Sequence, residues 1–148
     1  MAGFRIERVA PCSPDAAWQR LVCWEAHSAR VPLTAITVTT PPPTHEGTTF
    51  VARTGLGPLA FDDEMRVVRW EPPGASGDVT AVGRCRIEKR GRVVGGWSEI
   101  EVAPRAGGCR VVWSGEVRPR GVPGTLRPVV AWSARWLYGR IVDGLLGR

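Results

Sequence analysis

The stretch SPDAAWQRLVCWEAHSARVP, Ser13 to Pro32, interrupts a chain that otherwise reads as strands. Immediately before it, FRIERVA sets Phe4 and Ile6 on one face and Arg5, Glu7 and Val9 on the other, the period-2 pattern of a half-exposed strand. Ser13 then offers a side-chain oxygen to free amides, Pro14 suits a first helical position, and Asp15 complements the positive end of a helix dipole. Trp18, Leu21 and Val22 fall at helical spacing, so a short amphipathic helix is predicted to about Cys23. A second is predicted from Trp24 to about Arg30, stopped by Pro32.

Downstream, six strand patterns follow: TAITVTT, TTFVARTGL, AFDDEMRVVRW, VTAVGRCRIEK, VVGGWSEIEVA and CRVVWSGEVR. Short connections rich in Gly and Pro separate them, which favours hairpins and an antiparallel meander. With the first strand they make seven. After PRGVPG, apolar residues return at helical spacing from Thr125 to about Leu146, with Leu126, Val130, Leu137, Ile141 and Leu145 in one stripe and Val129, Trp132 and Trp136 beside it. A helix of that length spans about 33 Å, and strands of ten residues cover the same distance. A twisted sheet is therefore predicted to wrap one long C-terminal helix, with the two short helices closing an end.

The 148 residues are read as one domain, 1–148, and no apolar run approaches the roughly 20 residues that span a bilayer. The opening residues lack the basic and apolar regions of a secretory signal, so a cytoplasmic protein without stable membrane insertion is expected. Cys12, Cys23, Cys85 and Cys109 are scattered and read as reduced structural thiols. With only His27 and His45 as histidines, neither a metal site nor a cofactor is expected. The net charge of +6 raises the question of nucleic acid. However, the excess is almost all arginine, spread from Arg5 to Arg148, with Lys89 the single lysine. No nucleic-acid module is matched, and no phosphate-binding or hydrolase-nucleophile motif occurs.

Particular side chains carry the chemistry. In AFDDEMRVVRW, alternation puts Asp63 on the same inward face as Phe61, Met65 and Val67, where desolvation would suit it to proton transfer or it could orient a ligand hydroxyl; the plainer reading is a carboxylate near a strand end that reaches solvent or pairs with an arginine such as Arg53 or Arg86. In WSEIEV, Ser98, Ile100 and Val102 are predicted inward, and Glu99 and Glu101 outward, opposite arginines of RCRIEKR. In CRVVWSGEV, Val111, Trp113 and Val117 face in. His27, nearer the helical lid than His45, reads as a surface or helix-end histidine. Tyr138 either bonds a polar ligand or caps the core edge.

The order strand, two short helices, six strands, long helix, with APCSPDAAW, GTTFVAR and IEVAPRAGGCRVVWSGEV at its landmarks, resembles the helix-grip α+β fold of the SRPBCC superfamily (START, polyketide cyclase/dehydrase and Bet v 1-like proteins). The resemblance covers nearly the whole chain. It implies a cavity between sheet and long helix that holds a small hydrophobic molecule, lipid-, polyketide- or steroid-like. Together with the inward apolar pattern, it points to Trp18, Phe50, Phe61, Met65, Ile87, Trp113, Val130, Trp132 and Leu137 as lining. Asp63, Tyr138 or an arginine would orient the ligand. A cyclase or dehydratase using Asp63, and a packed interaction module without ligand, are the alternatives.

Overall fold

The structure is a computed structural model and describes residues 2–28, 34–74 and 81–147. Seven strands form one antiparallel sheet: β1 Ala2–Ala10, β2 Thr34–Val38, β3 Thr49–Thr54, β4 Phe61–Glu71, β5 Gly83–Arg90, β6 Val94–Arg105 and β7 Gly108–Pro119. The order across the sheet is β1-β7-β6-β5-β4-β3-β2, so each hairpin pairs with the next and β1 returns to the side of β7. Helices α1 (Pro14–Leu21) and α2 (Trp24–Ser28) follow β1, and α3 (Arg127–Leu145) follows β7. This is the predicted helix-grip architecture. The expected end of α2 near Arg30, and the expected strand start at Val79, lie outside the described residues.

Local chemistry accounts for the helix starts. Ser13 Oγ accepts the Ala16 amide at 3.1 Å and caps α1. Ahead of α3, a 3-10 turn at Gly124–Leu126 occupies the positions where the helix was expected to begin, and Pro128 sits in its first turn. With 19 residues α3 is about 28 Å long, shorter than expected.

Alternation decides the two faces of the sheet. Ser98, Ile100 and Val102 are buried as predicted, and the opposite face carries ion pairs: Arg86 with Glu99 at 3.4 Å and Arg84 with Glu101 at 3.3 Å. Arg86 also lies 4.2 Å above the Trp97 ring. These pairs are half-buried at the surface and contribute little to stability; what they specify is register. In β4 the pairing shifts between Val67 and Arg69, a bulge that lets both Val67 and Trp70 turn toward the helices. Gly96, at φ 127°, lies so close to the Glu116 carbonyl that any Cβ there would overlap it.

The long helix is held against the first strand. Arg8 Nε donates to Asp143 at 2.8 Å, and Gly139 lies so close to Arg8 that a Cβ would come within 3.3 Å of its guanidinium. Ala134, Ile141 and Val142 face inward, while Trp132 and Trp136 are 67% and 53% exposed and Leu126 and Val129 are also exposed. Trp132 was expected at the cavity, and it is not there. The first half of α3 is apolar around most of its circumference, so helical spacing alone does not choose a side; the small residues Ala134 and Gly139 do, by permitting close approach.

Candidate functional site

The sheet and α3 do not close on one another along their whole length. Toward the α2 end they enclose a cavity of about 480 Å³, lined on the sheet side by inward residues of β2 to β7 and on the helix side by Val130, Ser133, Ala134, Leu137, Tyr138 and Ile141. It reaches the surface near Val122 and Val129, both exposed. A second depression of about 490 Å³, on the outside of α2 and lined largely by the loop at Thr39–Thr48, contains none of the inward aromatic residues apart from Trp24.

Nine of the residues expected to line a site are gathered at the first cavity: Phe50, Phe61, Asp63, Met65, Ile87, Trp113, Val130, Leu137 and Tyr138. Two are not. Trp132 points to solvent, as described above. Trp18 is 1% exposed, yet it packs at the other end of the interior against Trp70, ring centroids 5.1 Å apart, because α1 seats its whole apolar stripe on β6 and β7.

Trp24 and His27 both stand on the second of the two short helices expected to close an end. The structure sets both in a continuous row of rings. Phe4 stacks on Tyr138 at 4.6 Å, Tyr138 meets Trp113 at 4.8 Å, Trp113 meets His27 at 5.6 Å, and Trp24 lies 5.5 Å from His27 and 4.8 Å from Phe50. His27 is therefore not a surface histidine. Its Nε2–H donates to the Leu21 carbonyl at 2.7 Å, and burial holds its pKa below the ordinary value of 6.5, so the ring is kept neutral. The signal available in sequence was its i+3 spacing from Trp24. His45 is exposed and bonds the Pro43 carbonyl within its own loop, away from the cavity.

The polar groups are few and clustered. Asp63 is buried, and its carboxylate lies against the β5–β6 hairpin, where the Val94 amide donates to it at 3.4 Å and a Cβ on Gly91 would overlap it. Burial raises its pKa; the Val94 amide and the charge of Lys89 act in the opposite direction. The ion pair with Arg53 or Arg86 is not made: Arg53 pairs with Asp62 and Arg86 with Glu99. Lys89 follows Cys85 and Ile87 on the inward face of β5 and donates to the Tyr138 hydroxyl. Among the described residues no carboxylate lies within ion-pair distance of it. The indole N–H groups of Trp24 and Trp113 are buried at the cavity wall, also without an acceptor among the described residues. An unmatched buried donor costs about 1–3 kcal/mol, which makes both indoles a local cost to the fold.

Cys85 and Cys109 are buried, their thiols pushed up to about 12 and about 11, which keeps them protonated and inert. Among the described residues no three His, Cys, Asp or Glu side chains cluster as a metal ion would need, and no helix is long and apolar enough to cross a membrane.

No family model matches the sequence, and no curated protein matches it significantly. Solved structures match its fold. A Thermus thermophilus protein superposes with a TM-score of 0.71 at 16% identity, covering 98% of this chain and 94% of that one. The Zhui aromatase/cyclase from a Streptomyces species gives 0.68 at 11% identity, covering 98% and 91%. Ara h 8.0201 gives 0.63 at 13% identity, covering 99% and 98%. What these structures share with this chain is the fold, an antiparallel sheet gripping a long C-terminal helix.

Proposed function

We propose that this helix-grip chain binds a small hydrophobic molecule between the sheet and α3, one that is flat enough to lie along the ring row and carries acceptor oxygens at its polar end. The observation behind this reading is a cavity of about 480 Å³ walled mainly by apolar and aromatic side chains, with Lys89 and Tyr138 among its few polar groups. Burial of the apolar body supplies the affinity, and Lys89 with Tyr138 orients the polar end. At about 480 Å³ the space falls within the ordinary range of ligand pockets, which weighs against a packed interaction module. Lipid-, steroid- and polyketide-like molecules all fit the description. A reducing, cytoplasmic setting suits the four unpaired cysteines.

The test is native mass spectrometry of protein purified gently from its own host, followed by extraction of any bound species. A stoichiometric apolar adduct bearing carbonyl or phenolic oxygens is expected, together with weakened binding by Trp113→Ala. An empty protein that also refuses host lipid extract would count against the reading.

A second reading has its own observation: Asp63, with a pKa raised by burial, shares the cavity with Lys89 and Tyr138. In a poly-β-ketone held folded in this space, Asp63 would take a proton from the carbon between two carbonyls. Lys89 and Tyr138 would hydrogen-bond the enolate oxygen as the carbon attacks a second carbonyl, whose π electrons pass to its oxygen; that alkoxide takes the proton back from Asp63 to give the aldol. Cyclase activity of this kind, which the name of the aromatase/cyclase neighbour invites, predicts that Asp63→Asn keeps binding and loses turnover.

A further inference from the structure

The outer face of α3 carries apolar side chains that the fold leaves uncovered. Val129, Trp132 and Trp136 recur at i, i+3 and i+7 and are 57%, 67% and 53% exposed. Around them the charge is one-sided. Between Val117 and Val142 the chain has five arginines (Arg118, Arg120, Arg127, Arg135 and Arg140) and no Asp or Glu, a local charge of +5 against +6 for the whole chain. All five are exposed, and among the described residues only Arg118 has a carboxylate within ion-pair distance, that of Glu116. Arg140 lies 5.0 Å from the Trp136 ring, so cation and indole occupy one level on the surface.

We propose that this face docks on an anionic lipid bilayer. Tryptophans partition to the headgroup level of a bilayer, aliphatic neighbours reach just below it, and arginines pair with lipid phosphates there. Charge complementarity selects this occupant over a second copy of the chain, since two-fold pairing of the face would set arginines against arginines. The apolar centre of the patch suits a bilayer better than a nucleic acid, whose backbone offers phosphates without an apolar layer. Val129 belongs both to this face and to the cavity lining, so docking sets the mouth of the cavity against the membrane.

Co-sedimentation of the intact chain with vesicles of phosphatidylcholine, with and without phosphatidylglycerol, tests the proposal. Binding is expected only with phosphatidylglycerol present, lost at high salt, and accompanied by a blue shift of tryptophan emission. Exposed side chains can be changed without disturbing the core. Trp132→Ser with Trp136→Ser should weaken binding on the order of tenfold. Arg127→Gln, Arg135→Gln or Arg140→Gln should each weaken it roughly fivefold. The proposal is overturned if neutral and anionic vesicles bind alike or neither binds. A double tryptophan variant that binds like the parent, self-association that this variant abolishes, or tighter binding to DNA than to vesicles would overturn it equally. Vesicle binding requires nothing in the cavity, so this outcome stands apart from the ligand reading.

Discussion

At one end of the interior, Trp18 of α1 is fully buried against Trp70, in a core that also holds the fully buried Leu21, Ile100, Val102 and Val111. At the other, Trp24 of α2 is just as hidden, yet it stacks on Phe50 and borders a cavity of about 480 Å³. Both tryptophans enter from neighbouring short helices, and burial alone does not separate them. What differs is the element behind each. α1 has eight residues, buries Ala17 and seats flat on β6 and β7, whereas α2 has five and leans on β2 at the sheet's edge. A helix of little more than one turn cannot fill the space that α3 leaves. The packed end therefore holds the fold together, and the hollow end is free to hold something else.

The largest effect that would sharpen this contrast is at the packed end. Trp18→Ala should cost about 3–5 kcal/mol in urea unfolding, the usual range for emptying a filled core site. Trp24→Ala should cost roughly half as much, because the five-residue α2 at the sheet's edge can settle into the space left more readily than α1. Equal losses at the two positions would break the comparison.

The next effect is a pH dependence confined to the hollow end. His27 has its pKa lowered by burial, so the unfolded chain takes up a proton that the folded chain refuses. Stability should be complete above the ordinary pKa of 6.5 and fall as pH drops through it, with thermal melts flattening in His27→Gln. Asp63 behaves oppositely. Its raised pKa means the folded chain holds the proton longer, so its contribution falls as pH rises past 3.8, and Asp63→Asn should be modestly more stable than the parent at neutral pH. A variant less stable at neutral pH would mean that the carboxylate is held by more than the Val94 amide. Smallest of all, Trp113→Phe should change stability by less than about 1 kcal/mol, since the lost ring area is offset by removal of an orphan donor.

Read without coordinates, the strands, their meander and the inward set on β4, β6 and β7 are legible because a period of two leaves each strand only two choices of face. Asp63 is placed correctly for that reason. Trp18 and Trp132 are misplaced for a different one: a helix pattern says which residues share a stripe, not what the stripe meets. His27 and Lys89 were legible only in part. Histidine near a lid and lysine near a strand end are ordinary on a surface, and nothing local says that Trp24, Trp113 and Tyr138 converge on them.

The sequence by itself determined the element order, the sheet's faces and the Ser13 cap of α1, all of which follow from dihedral preference and side-chain period over a few residues. Only the tertiary structure decided that one end packs and the other stays hollow, that α3 turns Ala134 and Gly139 inward and its tryptophans out, and that two indole N–H groups are left without acceptors. Those outcomes depend on whether surfaces far apart in the chain fit, and no local pattern encodes the volume left between them.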